Sequence, residues 1–215
     1  QFNQMAARAR NTSDALSGDF FVTSHEHVAS LLIPALNRFQ KEHPAVQVRY
    51  LASAEVLKLE YGAAHVALRS GPKPTEPDNV VRHFTDFEFG LYAQQSYLDA
   101  HGAPDFSGPL EGHRFVRWDT QANGMPFARW LEDHTPHGSV VFSSRNLSVV
   151  QAAIFDGMGI GFVAETDAAQ RKDLVRLCPS ADDWKTALWL VTHVDLHRST
   201  KIHTFLKTLK DTVGA

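Results

Sequence analysis

Cysteine is almost absent from this chain: Cys178 is the only one among 215 residues. That excludes an internal disulfide framework, fits a reducing compartment, and leaves no partner for a disulfide switch. Cys178 lies between Leu177 and Pro179 and reads as a buried apolar thiol rather than a sensor. Long hydrophobic runs are also missing; none approaches the roughly 20 residues needed to span a bilayer. Nor is there an excess of positive charge. Lys and Arg number 21 against 24 Asp and Glu, a net charge of −3, which does not suggest a nucleic-acid-binding surface on this chain. Residues 1–17 are polar, with no apolar segment of the kind a signal peptide needs. The chain does not begin with Met, so it is expected to be a piece of something longer. Gly-x-Ser-x-Gly is absent, and no nucleophile stands on a recognisable elbow, so no catalytic set is expected.

What is present begins at Gly18 with GDFFVTSHEHVASLLIPALNRFQKEHP. Phe20, Phe21 and Val22 read as a short strand and Thr23-Ser24 as a polar hinge into a long helix. Thr23 and Glu26 have the spacing of a capping box. Val28, Leu31, Leu32, Ala35, Leu36 and Phe39 give the helix one apolar face, and His43-Pro44 stops it. A strand feeding a helix through hydroxyl-bearing residues leaves free N–H groups that suit an anion, although the same residues also serve as plain caps.

Further along, strands are expected at 46–51, 65–68, 115–118, 139–142, 160–164, 174–177 and 187–193. Residues 80–93 form a long extended run, with Asp86 marking a break between two strands. Helices are expected at 54–61, 96–101, 124–134, 147–156, 165–170 and 199–213, and residues 1–17 read as the end of a linker helix. Alternating strands and helices imply an α/β architecture with mainly parallel sheets. The strand–hydroxyl–helix pattern occurs at 20–28 and again at 140–148, which suggests two similar lobes, with the run 80–93 crossing between them and strand 187–193 crossing back. In such folds ligands sit at the C-terminal ends of strands, here in a cleft between lobes.

Several segments carry a family resemblance: LLIPALNRFQKEHPAVQVRY, LEYGAAHVALRSGP, FEFGLYAQQSYLDAHG, LEGHRFVRWD, SVVQAAIFDGMGIGFVA followed by DLVRLCP, and ALWLVTHVDLHRSTKIHTFL. In order and spacing, from Gly18 to about Leu209, they resemble the effector-binding domain of LysR-type transcriptional regulators. The resemblance implies two Rossmann-like lobes joined by two crossing strands, like a type II periplasmic-binding protein. It divides the chain into 1–17 (end of the linker helix), 18–85 with 188–215 (first lobe), and 86–187 (second lobe). It also implies a cytoplasmic, non-enzymatic sensor that takes a small-molecule effector, an organic anion, and needs no cofactor. Such a sensor forms a homodimer, or a tetramer at full length, and touches DNA only through a winged helix-turn-helix preceding residue 1. A periplasmic solute-binding protein of a transporter is the alternative with the same fold. Two positions depart from the family pattern: His65 where Asp is frequent, and Ala164 where Pro is frequent.

By the same resemblance, Thr23, Ser24 and His25 sit where the family holds its effector in the first lobe, and Ser143, Ser144 and Asn146 occupy the equivalent turn of the second. Arg69 and Ser70, ending the third strand, would reach the cleft rim, where the guanidinium could pair with an acidic effector or with an acidic side chain across the cleft. Trp118 could stack on a ring or serve as core or rim packing, and His193, near the crossing back, could touch ligand or pack beside the hinge. Twelve histidines raise the question of a metal. His25 and His27, two apart on a helix, would point some 200° apart, and the pair in His193-x-Asp195-x-His197 straddles a strand end with no further ligand evident, so no metal is expected.

Overall fold

The computed structural model describes residues 16–52, 64–119, 126–179, 181 and 184–214. The linker-helix reading of 1–17, apart from its last two non-helical residues, and the helix expected at 54–61 lie outside them. The chain divides into two compact units. The first comprises Gln1–Arg69, Pro74–His83 and Trp189–Ala215; the second comprises Ser70–Lys73 and Phe84–Leu188.

In the first unit, strand β1 (Gly18–Ser24) leads through a 3-10 turn (Glu26–Val28) into helix α1 (Ala29–Glu42). Strands β2 (Val46–Ala52) and β3 (Val66–Ser70) lie parallel to β1 on either side, with Val22 opposite both Tyr50 and Val66. Helix α6 (Thr200–Val213), capped by the Ser199 hydroxyl, packs on α1. Phe20 of β1, Phe39 of α1 and Phe205 of α6 meet with ring centroids 5.0–5.4 Å apart and are fully buried. The inward residues of α1 (Leu32, Ala35, Leu36 and Phe39) are those the three- and four-residue spacing marks, while Ile33 and Pro34 face outward.

The second unit is built on β4 (Asn79–Gln94), whose far part pairs antiparallel with β7 (Gly161–Ala164) and β8 (Leu174–Arg176). Strands β5 (Phe115–Trp118) and β6 (Val140–Ser144) form a parallel pair. Helices α2 (Gln95–His101), α3 (Pro126–His134), α4 (Leu147–Phe155) and the short α5 (Glu165–Ala168) complete it. Phe89, Phe127, Phe162, Trp130 and Trp184 form an aromatic centre, with Phe89 and Phe127 centroids 4.3 Å apart. Strand β9 (Lys185–His193) lies between β3 and β4 in the strand order β2-β1-β3-β9-β4-β7, and β4 and β9 each contribute residues to both units.

Three expectations are corrected. The 80–93 run is one strand, not two: Asp86 is exposed, and a charged side chain turned to solvent leaves the backbone ladder intact. The Thr23–Glu26 capping box does not form. Thr23 is still in β1 and fully buried, and the position preceding the 3-10 turn is His25, which makes no side-chain cap. The sheets are mixed, because β4 meets β7 and β8 antiparallel. The second strand–hydroxyl–helix passage is capped as its sequence suggests, with Asn146 Oδ1 accepting from the Val149 N–H at 3.2 Å.

The two departures from the family pattern have local explanations. His65 extends the β1–β3 ladder with its ring: Nδ1 accepts the Phe21 N–H at 2.8 Å while the His65 backbone N–H donates to the Phe21 carbonyl at 2.8 Å. An aspartate oxygen could accept the same N–H. Ala164 is fully buried at φ −62°, the angle a proline ring fixes, so its backbone already has the conformation of a proline. Between α4 and β7 stands Gly157-Met158-Gly159. A Cβ on Gly159 would lie 2.6 Å from the Arg114 carbonyl oxygen, so glycine lets this turn approach the start of β5.

Candidate functional site

The ends of β1, β2 and β3 bring a polar cluster together in the first unit. Parallel pairing aligns the strand ends, so Thr23 and Ser24 of β1 stand beside Ala67 and Leu68 of β3, one residue before Arg69. Thr23 and Ser24 are fully buried, and Arg69 is only 7% exposed. The Arg69 guanidinium donates to Thr23 Oγ1 at 3.3 Å and to its neighbour's carbonyl, Leu68 O, at 3.4 Å, both long contacts. Among the described residues no carboxylate lies within ion-pairing distance of it. The Ser24 hydroxyl donates to the His25 carbonyl at 2.7 Å and makes a short hydrogen bond with Tyr50 Oη.

Electrostatics follow from this burial. Desolvation pulls the Arg69 guanidinium down from its ordinary value, with Tyr50 and Glu76 working against it. His25 is held below the ordinary imidazole value by burial and then by Arg69. His27 is buried and pushed down to about 3, by desolvation first and His25 second. Tyr50 is raised by burial, which keeps it a neutral hydroxyl donor. The two histidines correct the expectation that their rings diverge. His25 is extended and His27 sits in the 3-10 turn, so their rings stack 5.4 Å apart at 20°.

In the second unit, Ser143, Ser144 and Asn146 end β6 and start α4. Ser144 Oγ accepts the Asn146 N–H at 3.1 Å. Asp119 is held below the usual carboxylate range by a hydrogen bond from Ser143 and, with burial opposing, by Arg117, whose Nε donates to it at 2.8 Å. Trp118 Nε1 donates to the Arg145 carbonyl at 3.0 Å, and its indole stacks on Phe127 with centroids 6.1 Å apart. Trp118 also flanks a small apolar recess walled by Val116, Phe127, Leu131, Leu147 and Val150. This arrangement orients hydroxyls and an indole without a net charge of its own.

The structure therefore joins Thr23, Ser24, His25 and Arg69 in one cluster and Trp118, Ser143, Ser144 and Asn146 in another. Ser70 follows Arg69 at the end of β3 and belongs to the second unit. His193 ends β9, where its Nδ1 accepts the Asp195 N–H at 3.3 Å and lies 3.6 Å from Asp195 Oδ2. Sequence reasoning missed Tyr50 and His27. The signal for Tyr50 was its place in the strand: in a parallel pair starting at Gly18 and Val46 it falls opposite Val22, next to the Thr23-Ser24 end. Among the described residues no group of three His, Cys, Asp or Glu side chains could hold a metal ion. No helix among them is long and apolar enough to cross a membrane.

A model of the family described as the LysR substrate binding domain matches residues 13–214. The chain is 23% identical over 192 residues to the HTH-type transcriptional regulator CrgA of Neisseria meningitidis, covering 87% of this chain and 64% of that protein. It is 27% identical over 166 residues to an HTH-type transcriptional repressor of Pseudomonas aeruginosa, covering 74% and 52%. The chain thus spans between half and two thirds of the length of these curated relatives. In structure it is similar to the regulatory domain of CrgA, with a TM-score of 0.76 at 20% identity over 93% of this chain and 100% of that one. Full-length AphB of Vibrio cholerae gives a TM-score of 0.70 at 17% identity, covering 98% and 74%. Both neighbours share the fold, that of type II periplasmic-binding-protein-like regulatory domains. With the family model matching nearly its whole length, this chain belongs to the LysR substrate-binding domain family.

Proposed function

We propose that this chain is the effector-sensing part of a cytoplasmic LysR-type transcriptional regulator, and that its effector is a small organic anion held by Arg69. One observation carries the ligand class: Arg69 is a buried residue, 7% exposed, with two long hydrogen bonds and no carboxylate in pairing range among the described residues. Burying a charge without a counter-ion costs several kcal/mol. A carboxylate from solution would supply that counter-ion, with Thr23, Ser24 and Tyr50 as neutral hydrogen-bonding groups around it. Trp118, Ser143, Ser144 and Asn146 are the candidate ligand groups of the second unit.

The names of the curated relatives support regulation over a transporter's binding protein. In the full-length protein a DNA-binding segment would precede this domain, and homodimers would form through the outer face of α1, where Ile33 is 52% exposed. The effector can shift such an assembly only by its differential affinity for two arrangements. It serves as a sensor and not as an enzyme.

Isothermal titration calorimetry with a panel of aliphatic, aromatic and amino-acid carboxylates tests the reading. At least one should bind, and Arg69→Gln, with its circular dichroism unchanged, should weaken it ten- to a hundredfold, about the worth of a charge-assisted hydrogen bond. Undiminished binding to the variant would remove Arg69 from the site.

A further inference from the structure

We propose that an anion bound at Arg69 is taken up together with a proton on His25, so that the affinity of this domain for its effector rises as the pH falls. The inference rests on the reading of Arg69 as the anion-binding group and adds to it a regulatory input, the proton.

The geometry carries it. His25 leaves the buried end of β1 directly after Ser24, its carbonyl tied down by the Ser24 hydroxyl at 2.7 Å. Its ring stacks on His27, centroids 5.4 Å apart. On β3, Arg69 donates to Thr23 Oγ1, two residues before His25, at 3.3 Å, and its charge acts on the imidazole. From β2 the nearby titratable group is Tyr50, a phenol that stays neutral. From the turn there are buried His27 and, beside it, exposed Glu26; Glu76, from the loop after β3, acts on Arg69. Among the described residues no carboxylate pairs with either His25 or Arg69. The cluster thus holds one permanent cation and one imidazole kept neutral mainly by burial and partly by that cation.

An anion at Arg69 reverses the second influence. It cancels the guanidinium's field at His25 and brings a negative charge close to the ring, so imidazolium becomes more favourable in the complex than in the empty domain. By linkage the complex then binds more protons than its free components. Affinity should rise by up to tenfold per pH unit between the two midpoints, the lower of which lies beneath the ordinary histidine value of about 6.5.

NMR titration of the imidazole nitrogens from pH 4 to 8 tests this, with sodium benzoate as probe anion and His25→Asn to identify the His25 signal. Expected are a His25 midpoint raised by benzoate, a higher midpoint in Arg69→Gln without any anion, and a depressed one in Arg69→Lys, which keeps the charge. The pH dependence of benzoate affinity should vanish in His25→Asn. If benzoate shifts the Arg69 Nε resonance yet leaves the His25 midpoint where it was, proton coupling is wrong and the anion site stands. If neither responds, both fall. A pH dependence that survives intact in His25→Asn also overturns the proposal.

Discussion

At the scale of single residues, the strand-end polar residues were legible in sequence because hydroxyls and an arginine at the ends of apolar strands stand out. Tyr50 and His27 were not. Tyr50 looks like any alternating strand residue until the register puts it beside Ser24, and His27 was taken for a divergent helix position when the backbone there is a 3-10 turn. His65, noticed only as a departure from pattern, proves to be a backbone partner whose Nδ1 must be unprotonated to accept the Phe21 N–H. Burial first and Lys201 second hold it below the ordinary imidazole value, with Asp19 opposing. A histidine depressed in the folded state binds fewer protons there than when unfolded. Its stabilisation is complete above the unfolded value of about 6.5 and is lost as pH falls towards the folded one. Urea midpoints at pH 7.5 and 5 should therefore separate less in His65→Asn, whose amide oxygen keeps the hydrogen bond but does not titrate, than in the parent. Equal separations would show that His65 does not titrate with unfolding.

At the scale of elements, periodicity gave the helices among the described residues and most strand ends within a few residues, because an apolar face must be buried whatever lies beyond it. It failed where the deciding fact is long-range. Asp86 looks like a strand break, yet β4 runs straight through it because partners on the sheet hold the backbone. The Thr23–Glu26 spacing fits a cap, yet parallel pairing with β3 keeps Thr23 extended. The Gly157-Met158-Gly159 turn was read correctly as the end of α4, but the closeness of Gly159 to Arg114 depends on β5 lying there. Gly159→Ala should force that backbone apart and cost about 1–3 kcal/mol, seen as a lowered thermal midpoint. A neutral result would mean the turn can yield. Asn146→Ala, which removes a formed cap, should cost about 1 kcal/mol by the same measurement, and an unchanged midpoint would mean that water replaces the cap.

At the scale of the whole molecule, the family was legible from ordered segments spread along the chain, and the family model and structural neighbours agree with it. The effector's identity was not legible, because it depends on side chains from separate strands meeting at one point. The proposed dimer surface is testable through Ile33 on α1: Ile33→Glu should shift sedimentation towards monomer without altering the circular dichroism, whereas an unchanged dimer would place the contact elsewhere. The central claim is that Arg69 is a buried cation awaiting an anion. Thermal unfolding of the parent and of Arg69→Met, with and without a carboxylate that binds the parent, tests it most directly. Removing a buried charge that no carboxylate among the described residues pairs with should raise the midpoint of the empty domain while abolishing the rise that the carboxylate gives the parent. A variant less stable than the parent when empty, and still stabilised by the carboxylate, would contradict the account.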